Sequence, residues 1–345
     1  MKKLLLRLIL VALAITLIVT PLASCNTSNS EGGASTTTGD DTLALPDKDL
    51  EIKVYLLNGT TALGASKLIS DQKSGKTDMN YNIQTFASAD AITGAIVTGE
   101  CAIAALPTNA AANLYKKSGG KVQLLAINTL GVLYLLNNGE QITDFNSLKG
   151  KTVYLPGAGS NPEFITDALF KANGLSADDV TLDTTSYPSP DALAAAVISG
   201  NASLAVLPQP KVTAVMMQNK SVEIAMDFTA EWEEIYGEDT MAQGCLVVNT
   251  NFAKEHPAEL SKFLDDYKAS VEYIAEGSDE ALQMIVDASI LPNVNMAKNA
   301  LPACNICFIE GKAMKDAISV FYQKLYESNN KSIAAIPDDA FYFAR

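Results

Sequence analysis

The sequence has very little arginine and histidine. Arginine occurs only at positions 7 and 345, and the one histidine is His256. Arginine is the side chain best suited to hold carboxylate, sulfonate and phosphate groups, because its guanidinium donates two parallel hydrogen bonds. One histidine does not allow a Ser/His/Asp triad, and no metal constellation or phosphate-binding glycine loop is present. These absences argue against several kinds of catalysis, although the many carboxylates leave a paired-carboxylate site open.

Cysteine is also scarce, with five in 345 residues. A chain of this length buries a core without needing disulfides. The motif Cys304-Asn-Ile-Cys307 has no second pair and no neighbouring histidine, so it predicts structural or free thiols rather than a zinc or redox site. Whether Cys101, Cys245, Cys304 and Cys307 form disulfides stays open, and no metal or cofactor is expected.

The first 25 residues carry an export signal. A basic start (Lys2, Lys3 and Arg7) precedes an apolar run over residues 8–20, which is short for a membrane span. The run ends in Leu22-Ala-Ser-Cys25, which resembles the lipobox of bacterial lipoproteins and predicts lipidation of Cys25. The alternatives are an uncleaved anchor and an ordinary signal peptide. Residues 1–24 are thus expected to be a signal peptide, and the polar stretch 25–48 a flexible tether.

The mature chain is strongly acidic. Removing the three basic residues of the leader leaves 22 basic and 39 acidic residues, a net charge of −17. This balance argues against nucleic acid as a partner, and against binding to an anionic membrane surface. It also favours solubility.

An internal repeat at an offset of 101 residues organises the chain. Residues 90–107 and 191–208 both begin with Asp-Ala and end with Leu-Pro, and each contains a glycine at the same place. Each copy predicts an apolar helix stopped by the glycine, then a buried strand, then a turn led by the proline. The elements that match are Gly99 with Gly200, the strands 102–106 with 203–207, and Pro107 with Pro208.

The repeat extends upstream and predicts two related α/β lobes. Residues 53–61 and 152–161 both read as a strand followed by a polar, glycine-containing turn that opens a helix. Open α/β sheets bind ligands at such turns, at the carboxyl ends of their strands. We predict that residues 49–136 and 244–345 form lobe 1 and residues 137–243 form lobe 2. Two crossings between the lobes are predicted, which together form a hinge. The apolar segments 122–127 and 132–136 form the first crossing, and the apolar segment 244–249 forms the return.

The remainder of the chain is predicted to be helical, over residues 252–276, 279–288 and 312–327. In the first of these helices, apolar residues recur at helical spacing and read as core. They are Phe263, Leu264, Tyr267, Val271 and Ile274.

Taken together, these segments resemble the substrate-binding lipoproteins of ABC importers. The resemblance rests on the lipobox, the tether, the turn 54–62, Ala105-Leu-Pro-Thr-Asn109, the segment 148–157 and His256-Pro257. It points to the nitrate, sulfonate, taurine and thiamine-precursor type, with the type II periplasmic-binding fold. It implies a lipid-anchored monomer on the extracytoplasmic face of the bacterial cell membrane. Such a protein captures a small solute between its lobes and delivers it to a permease with its ATPase.

The resemblance also implies where the ligand contacts lie, at turns after the first and third strands of each lobe. Helix N-terminal amides and small polar side chains at these turns can hydrogen-bond a polar ligand. Capping of the helices by the same residue types is the alternative role. The positions are Asn58, Gly59, Thr60, Thr61, Thr108, Asn109, Gly159, Ser160, Asn161 and Gln209.

The lack of arginine favours a neutral or weakly charged solute over an anion. A tightly held anion would depend on lysine or on helix amides. A heteroaromatic solute is one option, with stacking surfaces available from Tyr55, Tyr134, Tyr154, Tyr187 and Trp232.

Two rival functions remain. One is an enzyme of the thiamine-precursor type, which the single histidine disfavours. The other is a surface sensor that keeps the two-lobed fold without feeding a transporter, and the sequence does not discriminate against it.

Overall fold

The computed structural model describes residues 45–345, which form two open β-sheets flanked by helices. The predicted signal peptide, Cys25 and most of the tether lie outside the described residues. Two separate, open sheets in a mixed α/β chain confirm the fold class predicted from the sequence.

The first sheet has six strands. Its four central strands are largely buried, as expected for strands covered by helices on both faces, and its two edge strands are partly exposed. The six strands are β1 (Ile52–Leu57), β2 (Tyr81–Phe86), β3 (Ile103–Pro107), β4 (Val122–Thr129), β10 (Gly244–Asn249) and β11 (Ile306–Glu310). Their order is β11-β4-β10-β3-β1-β2. Strands β1, β2 and β3 are parallel, whereas β10 runs antiparallel to both β3 and β4.

The second sheet repeats this plan. Its strands are β5 (Leu133–Asn137), β6 (Thr152–Tyr154), β7 (Thr181–Asp183), β8 (Leu204–Pro208) and β9 (Glu223–Asp227). Their order is β7-β6-β8-β5-β9, with β6 parallel to β7 and β8, and β5 antiparallel to β8 and β9. Strands β3 and β8 occupy equivalent places and are 101 residues apart. The sequence repeat therefore has a structural counterpart.

The chain crosses between the sheets twice. It leaves the first sheet after β4, through residues 130–132, and returns through residues 237–243 into β10. In each sheet, the strand that follows a crossing runs antiparallel to both of its neighbours, as β10 does in the first sheet and β5 in the second. The sequence places 132–136 at the end of lobe 1, whereas β5 pairs with β8 and β9 of the second sheet. Strand pairing decides to which sheet this segment belongs, and an apolar run in the sequence does not reveal its pairing partners.

Thirteen α-helices are found within residues 45–345, and no helix there is both long and apolar enough to span a lipid bilayer. They are α1 (Thr60–Leu63), α2 (Ser66–Lys73), α3 (Ala89–Thr98), α4 (Thr108–Ser118), α5 (Asn161–Ala172), α6 (Pro190–Ile198), α7 (Lys211–Gln218), α8 (Phe228–Tyr236), α9 (Thr250–Glu255), α10 (Pro257–Ala275), α11 (Asp279–Asp287), α12 (Val294–Ala300) and α13 (Gly311–Ser328).

Local sequence explains several helix boundaries. Helix α3 ends at Gly99, whose φ of 79° is the left-handed conformation that glycine adopts readily. The break between α9 and α10 falls at His256, with φ −131° and ψ 54°. Because Pro257 follows, His256 is disfavoured in helical geometry. The sequence predicts one long helix here, and the proline divides it.

The C-terminal part corrects one prediction. The sequence predicts only helices after residue 250, but Ile306–Glu310 forms strand β11 at the edge of the first sheet. The predicted core residues of α10 are confirmed, since Phe263, Leu264 and Tyr267 are at most 1% exposed. Helix α13 packs on β4 and also reaches α5, the first helix after β6.

Candidate ligand-binding cleft

A cleft of about 310 Å³ opens where the carboxyl ends of β1, β3 and β8 and the segment after β6 face one another. Both sheets and both crossings contribute to its wall. Seven of the ten ligand-binding positions predicted from the sequence line it: Asn58, Gly59, Thr60, Thr61, Ser160, Asn161 and Gln209. The other three, Thr108, Asn109 and Gly159, lie within two residues of lining residues in the chain without lining the cleft themselves. No contact with a ligand tests any of these positions, so they stay predictions.

The turn after β1 supplies the first wall. Gly59 precedes the short helix α1 and has a φ of 115°. Residues other than glycine rarely adopt this conformation. The hydroxyl of Thr61 donates a 2.7 Å hydrogen bond to the carbonyl oxygen of Leu57. Thr61 therefore closes the turn. Asn58 is exposed at the surface of the turn, and Thr60 is partly exposed there.

Thr108 and Asn109, at the start of α4, hold the lobes together. The hydroxyl of Thr108 is completely buried and donates 2.7 Å to the carbonyl oxygen of Ala242 in the returning crossing. The Asn109 amide donates 3.4 Å to the carbonyl oxygen of Gly159, which follows β6. Both side chains thus bind backbone carbonyl oxygens of other segments, and neither of them caps α4, whose start has no side-chain cap hydrogen bond.

The start of α5 supplies the opposite wall. The Glu163 carboxylate accepts a 2.6 Å hydrogen bond from the Gly159 backbone N–H, and the Ser160 hydroxyl donates 3.0 Å to the carbonyl oxygen of Gly157. Asn161 is 5% exposed and donates 3.1 Å through Nδ2 to the carbonyl oxygen of Gln243. Its Oδ1 is buried and accepts no hydrogen bond within the part of the chain that the structure describes.

Gln209 follows β8 as Thr108 follows β3, but it is placed differently. Its backbone N–H donates 2.9 Å to the carbonyl oxygen of Val132 in the first crossing. Its Oε1 accepts 2.8 Å from the Thr213 hydroxyl on α7. Because the oxygen is engaged, the NH₂ group is the end of this amide that remains to bind a ligand.

Sequence reasoning missed Gln243 and the prolines. Gln243 lines the cleft, and its Oε1 accepts a 2.6 Å hydrogen bond from the Val132 N–H, which joins the two crossings. No pattern marks this residue before the crossings are known. Proline is a clearer signal, because three strand ends read Leu-Pro in the sequence. Six prolines line the cleft: Pro107, Pro156, Pro162, Pro190, Pro208 and Pro210.

The cleft lining is almost free of charge. Its single charged residue is Lys211, which is ion-paired with Asp191 on α6. Arg345 lies elsewhere, where its guanidinium binds Asp265 at 2.8 Å and Glu310 at 3.1 Å. No lining residue is a histidine, a cysteine or a carboxylate.

The aromatic residues proposed for stacking do not line the cleft, which corrects that expectation. Tyr154 and Tyr187 pack edge-to-face with 5.4 Å between ring centroids, and Tyr55 packs on Phe86 at 4.7 Å. Trp232 is completely buried beside Phe321, and Tyr134 is 7% exposed. These rings lie in the core or pack against it. From the sequence alone, an aromatic residue of the core looks the same as one on a binding surface.

Histidine and cysteine lie away from the cleft. His256 lines a separate groove of about 700 Å³, with Lys53, Glu100 and Lys121 among its other walls. The four cysteines of the described residues are free thiols. Burial raises the pKa of Cys101 and of Cys304 to about 12, so both stay protonated at neutral pH. Residues 45–345 contain no cluster of three histidine, cysteine or acidic side chains suited to a metal ion.

Comparison with known proteins agrees with this architecture. A family model described as NMT1/THI5 like matches residues 84–281, more than half of the chain. No curated protein sequence matches significantly.

Solved structures share the fold. An ABC transporter protein from Parabacteroides distasonis is 21% identical with a TM-score of 0.72, covering 86% of this chain and 100% of its own. The periplasmic aliphatic sulphonate binding protein from Escherichia coli is 14% identical with a TM-score of 0.69, covering 86% and 92%. A Candida albicans protein with the generic periplasmic binding protein fold is 13% identical with a TM-score of 0.60, covering 85% and 93%.

Proposed function

The chain belongs to the NMT1/THI5-like family, and on that premise we propose that it is an extracytoplasmic solute-binding lipoprotein of an ABC importer. The observation that carries the proposal is the cleft between the two sheets, which is walled by strand ends and helix starts from both of them. Ligands of open α/β folds bind at such sites. The structural neighbours from Parabacteroides distasonis and Escherichia coli are a transporter protein and a periplasmic binding protein by description.

The contacts between the lobes suit a protein that opens and closes. Polar bonds cross the cleft from Asn109 to Gly159 and from Asn161 to Thr108, at 3.4 Å each. Bonds of this length are weak and exchange readily with water. Rigid-body movement of one lobe about the two crossings would then admit and release a solute.

The lining favours a carrier over an enzyme. Catalysis needs a group that transfers protons or attacks the substrate, and the side chains at the cleft are amides, hydroxyls, aliphatic groups, prolines and one paired lysine. A bound solute would leave chemically unchanged. An enzyme of the thiamine-precursor type would instead return an altered product.

The lipid anchor forms part of the proposal. Cys25 follows Leu22-Ala-Ser24 and lies outside the described residues, so its lipidation rests on the sequence alone. We place the mature protein on the extracytoplasmic face of the cell membrane as a monomer, delivering its solute to a permease and its ATPase. A Cys25→Ala variant should no longer incorporate a labelled fatty acid, whereas Cys101→Ala should still do so. If the Cys25 variant were labelled like the wild type, the anchor would be refuted.

One experiment tests the binding function. The leaderless protein is purified without exposure to added solutes, examined by native mass spectrometry, and screened by thermal shift against vitamins, their precursors, sulfonates and nucleobases. A bound ligand raises the melting temperature, because it stabilises only the folded state. We expect one chemical class to bind at a single site and to be recovered unchanged. Absence of any binding, or turnover of the ligand, would overturn the proposal. Binding without any effect of gene deletion on uptake would favour a sensor.

A further inference from the structure

The amide of Asn161 has one possible orientation in this structure. Its Nδ2 donates to the carbonyl oxygen of Gln243 at 3.1 Å and to the Thr108 hydroxyl oxygen at 3.4 Å. The Thr108 hydroxyl uses its hydrogen for Ala242, so it offers Asn161 a lone pair. Turning the amide over would place Oδ1 against the carbonyl oxygen of Gln243, acceptor against acceptor. The hydrogen-bond network therefore fixes which end of the amide is which.

This orientation leaves Oδ1 of Asn161 without a donor. Three buried side-chain atoms lack a partner within the described residues, and the other two are the hydroxyl oxygens of Thr229 and Ser332. Only Asn161 among the three lines the cleft. A buried acceptor without a hydrogen bond is destabilising, so such an atom in a binding cleft indicates the place of a donor.

The neighbouring glutamines present the opposite end of the amide group. Gln209 and Gln243 both line the cleft, and the Oε1 of each already accepts a hydrogen bond from the protein. Their NH₂ groups are the ends that remain for a ligand. A ligand that fits the cleft therefore has a hydrogen-bond donor facing Asn161 and an acceptor facing Gln209 or Gln243.

The same cleft is poorly equipped for an anion. The amide of Gly159, before α5, already binds the carboxylate of Glu163 at 2.6 Å, which places a negative charge where an anion would approach. The Thr108 N–H at the start of α4 binds the carbonyl oxygen of Gln243. Pro162 and Pro210 stand at the starts of α5 and α7, and proline has no N–H to donate. At the starts of α4, α5 and α7, the helix amides are therefore a weak substitute for the missing arginine.

We infer that the cleft selects a neutral solute that carries both an N–H or O–H donor and a hydrogen-bond acceptor, such as an amide or a lactam, and that Oδ1 of Asn161 accepts from that donor. The inference rests on the proposed solute-binding function and names the substrate class of the same site. It separates this chain from anion binders such as the structural neighbour described as a sulphonate binding protein.

The test compares matched probes on the leaderless protein by thermal shift and calorimetry. The donor-bearing probes are 2-pyrrolidinone and uracil, their counterparts without a donor are N-methyl-2-pyrrolidinone and 1,3-dimethyluracil, and the donor-free anions are methanesulfonate and nitrate. We expect a donor-bearing probe to bind about tenfold or more tightly than its methylated counterpart, which is the range expected when a buried acceptor is left unpaired. We also expect that the anions do not bind at millimolar concentration.

Two variants separate the role of Oδ1 from steric effects of the methyl group. In Asn161→Leu the side chain keeps its branched shape and loses the acceptor, so the preference for the donor-bearing probe should fall to nearly one. In Thr108→Val the contact between the lobes is weakened and Oδ1 is kept, so the preference should persist even if overall affinity falls. Circular dichroism confirms that each variant is folded.

Four outcomes overturn the inference. They are tighter binding of a donor-free anion, an unchanged preference in Asn161→Leu, a lost preference in Thr108→Val, and a crystal structure of the complex in which Oδ1 binds only an ordered water. In all four the protein still binds a solute, so the proposed function survives. If neither a probe nor a co-purified compound binds at all, the proposed function itself fails.

Discussion

The hydroxyl of Thr108, at the start of helix α4, donates a 2.7 Å hydrogen bond to the carbonyl oxygen of Ala242, in the segment that returns from the second sheet. Both groups are completely buried. A residue that sequence reasoning assigned to ligand binding therefore fastens the first lobe to a crossing. The hydroxyl oxygen of Thr108 also accepts a 3.4 Å hydrogen bond from Nδ2 of Asn161, whose orientation the carbonyl oxygen of Gln243 fixes.

Replacing Thr108 with valine should lower the free energy of unfolding by about 1–3 kcal/mol, because the carbonyl oxygen of Ala242 is left buried without its donor. The change is isosteric, so packing is preserved. Chemical denaturation followed by circular dichroism measures the loss. The matched control is Thr98→Val on α3, where an exposed hydroxyl donates to Gly94 and little change is expected. Equal effects of the two substitutions would contradict the role of Thr108.

Substituting Gly244 with alanine should disturb the cleft directly. A Cβ at Gly244 would lie 2.7 Å from Oδ1 of Asn128 and 2.7 Å from Cγ2 of Thr61, both buried. We expect a loss of about 1–3 kcal/mol in unfolding free energy from overpacking, together with weaker ligand binding. Gly94→Ala is the control, since nothing lies within 4 Å of its Cβ in the middle of α3. That variant should be more stable by about 0.5–1 kcal/mol. A stable Gly244 variant with normal binding would refute the expected clash.

The repeat at an offset of 101 residues predicted the doubled architecture correctly. Strands β3 and β8 are apolar runs between a glycine and a proline, so their presence and burial follow from local sequence. Each strand runs one residue later than predicted and includes its proline. The turns after β1 and β6 were located in the same way, and they line the cleft as expected. These features depend on residues close together in the chain, which is why a sequence shows them.

Other parts were decided by contacts between distant residues. Strand β11 forms because it pairs with β4, more than 170 residues earlier, and its own sequence does not reveal that partner. Likewise, Thr108 reads equally well as a helix cap or as a ligand contact, until Ala242 is placed beside it. Gln243 has no local signature at all. It becomes a cleft residue only because the two crossings run side by side.

Stability should fall at acidic pH in a way that depends partly on Asp183. Hydrogen bonds from the hydroxyl and backbone N–H of Ser186 and from Thr185 hold the pKa of Asp183 at about 2 in the folded protein. An unfolded aspartate has a pKa of about 3.9. The stabilisation is therefore complete above about pH 4 and is lost as the pH falls towards 2.

An Asp183→Asn variant should show a shallower decline of stability between pH 4 and pH 2 than the wild type. Urea denaturation at several pH values measures both slopes. Asp178→Asn, at an exposed carboxylate, controls for the change in net charge. Parallel curves for Asp183→Asn and the wild type would show that these hydrogen bonds do not favour the ionised carboxylate.

The four cysteines of the folded part should resist thiol reagents until the protein unfolds. Cys101, Cys245 and Cys304 are completely buried, and Cys307 is partly exposed. Burial raises the pKa of Cys307 to about 12, so almost none of its reactive thiolate is present at neutral pH. In a leaderless chain that lacks Cys25, we expect negligible labelling by a disulfide reagent under native conditions and four labelled thiols in denaturant. Cys307→Ser should remove whatever slow native labelling remains. Only two labelled thiols in denaturant would instead show that Cys304 and Cys307, or another pair, form a disulfide.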